Sequence, residues 1–156
     1  MFDTLAVTAL IETCSLEASL TSFRSDHLLL ITERVYDEYR TGHRGTMDIS
    51  GVDRTFRKVG ANVNEELLPY FHFDASSGEI SVISYAMHSR DVCCVIDEQF
   101  GRTICEIFGI DCTGTVGIIR KMVTEGALER DSLRLVRGKL RRSSFYLTDQ
   151  LLNELR

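Results

Sequence analysis

Short apolar runs alternate with helical segments along most of the chain, the pattern of an α/β domain built on a central parallel sheet. Residues 27–31 predict a strand, and a helix begins after Thr32, whose hydroxyl can cap it, with Glu33 in its first turn and Gly42 at its end. Residues 41–50 carry turn chemistry, and Ser50 opens a helix expected to reach Val59. A short helix is predicted over 62–68 before Pro69, then a strand over 70–73 ended by Asp74, then a helix led in by Ser76, Ser77, Gly78 and Glu79 that continues to His88. The run 92–96 is apolar throughout and β-branched at three of five positions, as a strand covered on both faces requires. It stops at Asp97-Glu98. A helix over 99–108, a short strand over 110–113 and a helix over 114–125 closed by Gly126 follow. Leu128, Leu133, Leu135 and Val136, then Phe145, Leu147, Leu151 and Leu152, predict two amphipathic helices separated near Ser143-Ser144. The expected organisation is one domain over 1–126 with a helical extension, 127–156, packed on it.

Composition narrows the class. The chain has 156 residues, 44% hydrophobic and 26% charged, enough for one globular core. Its apolar runs are too short to span a bilayer and its start lacks a basic stretch followed by an apolar one, which predicts an intracellular, cytoplasmic protein with no membrane segment. Five cysteines without a CxxC pair and four scattered histidines give no rhythm for zinc, a redox centre or a disulfide framework. A net charge of −5 argues against coating nucleic acid through bulk charge, so any such contact is local. Arg130, Arg134, Arg137, Lys139, Arg141 and Arg142 are opposed only by Asp131. They read equally as a solvated helix face or as a grip for RNA phosphates or an acidic partner.

In open parallel sheets ligands bind beyond the carboxyl ends of the strands, so acids located there are candidate site residues. Asp97 follows the central apolar run directly, with Glu98 beside it; Asp3 follows Met1-Phe2, and Asp74 follows Phe73. Glu38 lies on the helix after the second strand and Glu79 opens the helix after the third. Gathered carboxylates hold a hard divalent cation, which takes oxygen ligands. The competing explanation is that, among 23 acidic residues, several fall near strand ends as helix caps or solvated charges. Thr113, Thr115 and Arg102 are close enough in sequence to orient a phosphate or a ligand carboxylate, or else to build the next turn and pair on a helix surface.

Asp3-Thr4, the piece Val35-Tyr36-Asp37-Glu38, Ser77-Gly78-Glu79-Ile80, and the run VIDEQFGRTICEIFGIDCTGTVGII over 95–119 together resemble the PIN-domain family of metal-dependent ribonucleases. The resemblance implies a PIN-like (Rossmann-like) three-layer fold and a catalytic metal site of Asp3, Glu38 (in preference to Glu33), Glu79 and Asp97, with Glu98 as a further ligand or base. It also implies Mg²⁺ or Mn²⁺, and hydrolysis of RNA to 5′-phosphate and 3′-hydroxyl ends. Many family members are VapC-type toxins of toxin-antitoxin pairs, which implies a small antitoxin partner and a homodimer. Two departures stand out: only Met1 and Phe2 precede Asp3, and Leu5 occupies a position where the family often has a small polar residue. They keep open an alternative, a catalytically inactive PIN-like scaffold that binds protein or RNA.

Overall fold

A computed structural model of the chain describes residues 1–42, 49–72, 77–143 and 149–155. Expectations that rest on Phe73, Asp74, Ser76, Ser144, Phe145, Leu147 and the middle of the 41–50 turn lie outside those residues.

The strands are short and buried where they cross the core. β1 (Leu30–Thr32) is buried at all three positions. Its last residue starts the next element, because the Thr32 hydroxyl accepts the Val35 N–H at 3.1 Å and opens α3 (Glu33–Gly42). α4 (Ser50–Thr55) is shorter than the pattern predicts, and residues 57–59 form a strand, β2 (Arg57–Val59), paired parallel with β1. The reason is Phe56. Its backbone turns extended (φ −111°, ψ 143°) and its ring is buried edge-on against Phe2 at 5.1 Å, which a continued helix would not permit. Arg57 and Lys58 then lie exposed on an edge strand, where charge discourages further pairing.

Two other expectations change. Over 62–68 there is a single 3₁₀ turn, Glu65–Leu67, capped by the Asn64 side chain on the Glu66 N–H at 2.9 Å. Residues 70–72 form turns, not a strand, since the Leu67 carbonyl accepts from both Tyr70 and Phe71 and His72 has φ 51°, outside extended backbone. The other predicted elements form with shifted ends: α5 (Gly78–Met87), β3 (Cys94–Val95), α6 (Gln99–Ile107), β4 (Cys112–Thr113), α7 (Thr115–Thr124), α8 (Leu133–Arg142) and α9 (Asp149–Asn153). Ahead of them stand α1 (Thr4–Thr8), a π-helical turn Ala9–Thr13 and α2 (Glu17–Phe23), none of which the pattern reading assigned.

Residues 1–3 are the seam of the sheet. The Phe2 N–H donates to Leu30 at 2.9 Å, the Asp3 N–H donates to Val95 at 3.1 Å, and Val95 returns its N–H to the Met1 carbonyl at 2.7 Å. The order is therefore β2, β1, residues 1–3, β3, β4, with β1–β2, β3–β4 and the Phe2–Val95 bridge all parallel. Chain order reverses between residues 1–3 and β3, which makes this the topological switch point. Helices α1, α3, α5 and α6 pack in succession, with α5 lying over β1 and β3, while α2 meets α4 and α7; the two groups enclose the sheet as outer layers. α8 rests on the π-helical turn, where Lys139 donates to the Cys14 carbonyl at 2.9 Å, and Arg120 ties Glu154 to α7 at 2.9 Å. Among the described residues no helix is long and apolar enough to cross a membrane.

A candidate metal centre at the switch point

The two acids that end the strands on either side of the reversal are Asp3 and Asp97. Asp3 is 5% exposed and caps α1, its Oδ1 accepting the Ala6 N–H at 2.7 Å. Burial pushes its carboxyl up from 3.8 to about 7, reinforced by the charges of Asp97 and Glu79 and partly offset by the backbone N–H groups of Ala6 and Asp97. Asp97 is held by one residue twice. Thr115, fully buried at the start of α7, donates its N–H to Oδ1 at 2.8 Å and its hydroxyl to Oδ2 at 2.5 Å.

Glu38 reaches in from α3, its Oε1 accepting the Gly78 N–H at 2.5 Å and its Oε2 the Thr4 hydroxyl. A β-carbon on Gly78 would stand 2.5 Å from Glu38 Oε2, so the start of α5 must be glycine for that carboxylate to dock. Glu79, the next residue, sits over Gly101 of α6, where any side chain would overlap its Oε1. That oxygen is buried against the Gly101 backbone and has no hydrogen-bond partner of normal geometry among the described residues. Burial, then the charges of Glu98 and Glu38, push Glu79 up from 4.5 to about 7.

Asp3, Glu38, Glu79 and the exposed Glu98 line one cleft of about 170 Å³ with Thr4, Leu5 and Ser77, and no basic side chain lines it. Two larger hollows, of about 680 and 780 Å³, gather no more than two carboxylates each; chemistry, not volume, singles out the smaller cleft. As placed, no three of the described His, Cys, Asp and Glu side chains enclose a metal position. The donor set nonetheless fits a hard divalent ion: it is all oxygen, it includes one buried oxygen without a partner, and two of its acids are poorly held in charged form by the protein alone.

The other expected residues divide. Thr115 is the support for Asp97. Arg102 is exposed; its guanidinium and the Asp97 carboxylate both crowd the Gly114 backbone, but it makes no ion pair with a described acid. Thr113 is not brought in: its hydroxyl packs on Gly117 and it lines the 780 Å³ hollow at the other end of the strands. Glu33 is exposed and outside the cleft. Thr4 and Ser77 line the site without having been singled out for it. Their signal was adjacency, Thr4 next to Asp3 and Ser77 capping the helix that carries Glu79.

An open parallel α/β domain with an acidic cleft at its switch point defines the class. A family model, DUF3368, described as a PIN domain, matches residues 1–156, and the chain belongs to that family. No curated protein and no solved structure matches it. PIN domains are generally nucleases and typically use divalent metals.

Proposed function

We propose that the protein is an endoribonuclease hydrolysing RNA phosphodiesters at Asp3, Glu38, Glu79 and Asp97 with Mg²⁺ or Mn²⁺. The observation that carries this reading is the convergence of four mutually repelling carboxylates, Asp3, Glu38, Glu79 and Glu98, from four chain segments on one cleft at the switch point, with the charge of Asp97 acting on Asp3 beside it. A divalent cation held by these oxygens supplies the positive charge that polarises a phosphodiester and acidifies an attacking water. The chain's own groups do the rest. Asp3 and Asp97 fix the two sides of the site because a helix cap and Thr115 hold their rotamers. Glu38, tied to α5 and Thr4, closes the third side. Glu98, exposed at the rim, would take the proton released by water as the P–O3′ bond breaks, and the departing O3′ would take a proton from solvent, leaving a 5′-phosphate and a 3′-hydroxyl.

A small antitoxin partner, a homodimer and action in the cytoplasm belong to this reading through the resemblance to VapC-type toxins, and no contact within the chain bears on them. The second reading, an inactive PIN-like scaffold, is favoured by one feature: Leu5, 37% exposed, presents an apolar side chain to the cleft.

Cleavage of a labelled mixed-sequence RNA with Mn²⁺, with Mg²⁺ and with EDTA tests the proposal. Cutting is expected with either metal and none with EDTA. Asp97→Asn keeps an acceptor for Thr115 but loses the charge, and its cleavage rate falls by about tenfold or more. Equal cutting by both proteins would sink the assignment. No cutting, together with no metal-induced rise in Tm, would favour the scaffold. Thr115→Val separates positioning from folding: losing its hydroxyl on Asp97 is expected to lower kcat about tenfold, with Thr115→Ser restoring it. A Thr115→Val enzyme with unchanged kcat would remove Thr115 from the site.

A further inference from the structure

The cleft alone does not explain how a polyanion would stay on this protein, since it is acidic and the whole chain carries a net charge of −5. We infer that a second surface, the arginine groove formed by Arg130, Arg134, Arg137 and Arg141, binds the phosphate backbone of single-stranded RNA. The inference rests on the ribonuclease reading for the identity of its ligand, but on different residues.

The four guanidinium side chains follow at intervals of four, three and four residues, through the 3₁₀ turn Arg130–Ser132 and α8, and line one groove of about 680 Å³ that holds a single acid, Asp131. From Arg130 to Arg141 a helical rise extends roughly 16 Å, the length of a few nucleotides. Arg130, Arg134 and Arg137 make no ion pair or hydrogen bond with another described residue, unlike Arg40, Arg54 and Arg120, which pair with carboxylates. The charge of these three arginines is therefore not consumed by a described carboxylate. Guanidinium forks match phosphate oxygens in pairs, and arginine is the residue suited to that geometry.

The groove favours phosphate over an acidic peptide because it offers no apolar anchor. Its two leucines, Leu133 and Leu155, are 6% and 2% exposed and already belong to the core, whereas a protein partner gains most of its affinity from side chains seated in apolar pockets. α8 itself rests on the π-helical turn Ala9–Thr13, which continues α1, whose cap is Asp3, so one run of ten helical residues, roughly 15 Å long, leads from the α8 contact to the cleft.

Binding is measured in EDTA, so that metal-dependent cutting cannot interfere, by fluorescence anisotropy of a labelled single-stranded RNA of about 15 nucleotides at several salt concentrations. The expected result is salt-dependent binding that Arg130→Gln, Arg134→Gln and Arg137→Gln together weaken about tenfold or more. The slope of log Kd against log salt falls by about 2, as three phosphate contacts on a single strand predict. The corresponding triple change to Lys keeps most of the slope, and circular dichroism shows both triple variants folded. An unchanged affinity and slope in the Gln triple overturns the inference. So does groove-dependent binding of polyglutamate with none of RNA, which would assign the surface to an acidic protein. Groove-dependent RNA binding without metal-dependent cleavage would sink only the ribonuclease reading; cleavage with unaltered binding in the Gln triple would sink only the groove.

Discussion

Asp3→Asn is expected to lower metal-dependent RNA cleavage by about a thousandfold while making the metal-free protein more stable at neutral pH. The two effects have one origin. Asp3 is nearly buried, and its carboxyl titrates at about 7 in the fold against an ordinary value of 3.8. Between those values the folded protein keeps a proton that the unfolded chain has released, so stability of the metal-free protein falls as pH rises through that window. A displacement of that size corresponds to at most about 4 kcal/mol. Asparagine removes the charge and caps a helix as well as aspartate does, preserving the bond from the Ala6 N–H. The gain should be on the order of 2 kcal/mol at pH 7.5 and shrink to roughly a few tenths of a kcal/mol near pH 4, where the wild-type carboxyl is protonated in the fold and partly protonated in the unfolded chain. Metal reverses the ranking, because an ion that binds only the folded wild type stabilises it by about 2.7 kcal/mol at a hundredfold excess over Kd, and the variant loses that linkage. Urea melts at pH 4 and 7.5, with and without Mn²⁺, read both effects. A variant less stable than wild type at pH 7.5 without metal, and still active, would mean that Asp3 is only a helix cap.

The elements that could be read from the chain were those whose role coincides with a local pattern. The strand at Cys94–Val95 is announced by an unbroken apolar run and stopped by Asp97, and the hydroxyl of Thr32 marks the start of α3. Most of the cleft was legible as well: Asp3 from its place at a strand end, Glu98 from standing beside Asp97, and Glu38 and Glu79 as acids on the helices that follow strands. What was not legible depends on partners far away in sequence. β2 is three residues, two of them charged, and is a strand only because β1 lies beside it and Phe56 finds Phe2. The stretch from Ala6 to Ile11 is apolar at five of six positions and buried from almost every side, so it carries no helical period. Thr4 acts on Glu38 across 34 residues. The arginines are visible as a charge run, but only the docking of Leu155 beside α8 makes them a groove.

Phe2→Ala is the second large change expected, and it acts on the fold before it acts on the site. Among the described residues, the two pairs of strands, β1 with β2 and β3 with β4, are joined in the sheet only through residues 1–3, whose backbone reaches Leu30 on one side and Val95 on the other. Three residues give few hydrogen bonds, so the seam depends on the side chain between them. Phe2 is 2% exposed and meets the edge of Phe56 at 5.1 Å, which also anchors the start of β2. Truncating a buried phenylalanine removes its transfer free energy and leaves a cavity, about 4 kcal/mol in all, a large fraction of the 5 to 15 kcal/mol typical of a domain. Phe2→Leu keeps most of the volume and should cost less than about 1.5 kcal/mol. In urea the Phe2→Ala protein should still unfold in one transition with an unchanged slope, because neither strand pair has a core of its own. A reduced slope would mean that the halves separate first. Since Asp3 is the next residue along the seam, cleavage activity should track the folded fraction through this series. Loss of activity in Phe2→Ala at a temperature where it remains fully folded would instead show that the aromatic ring, not the backbone seam, sets the position of the Asp3 carboxylate.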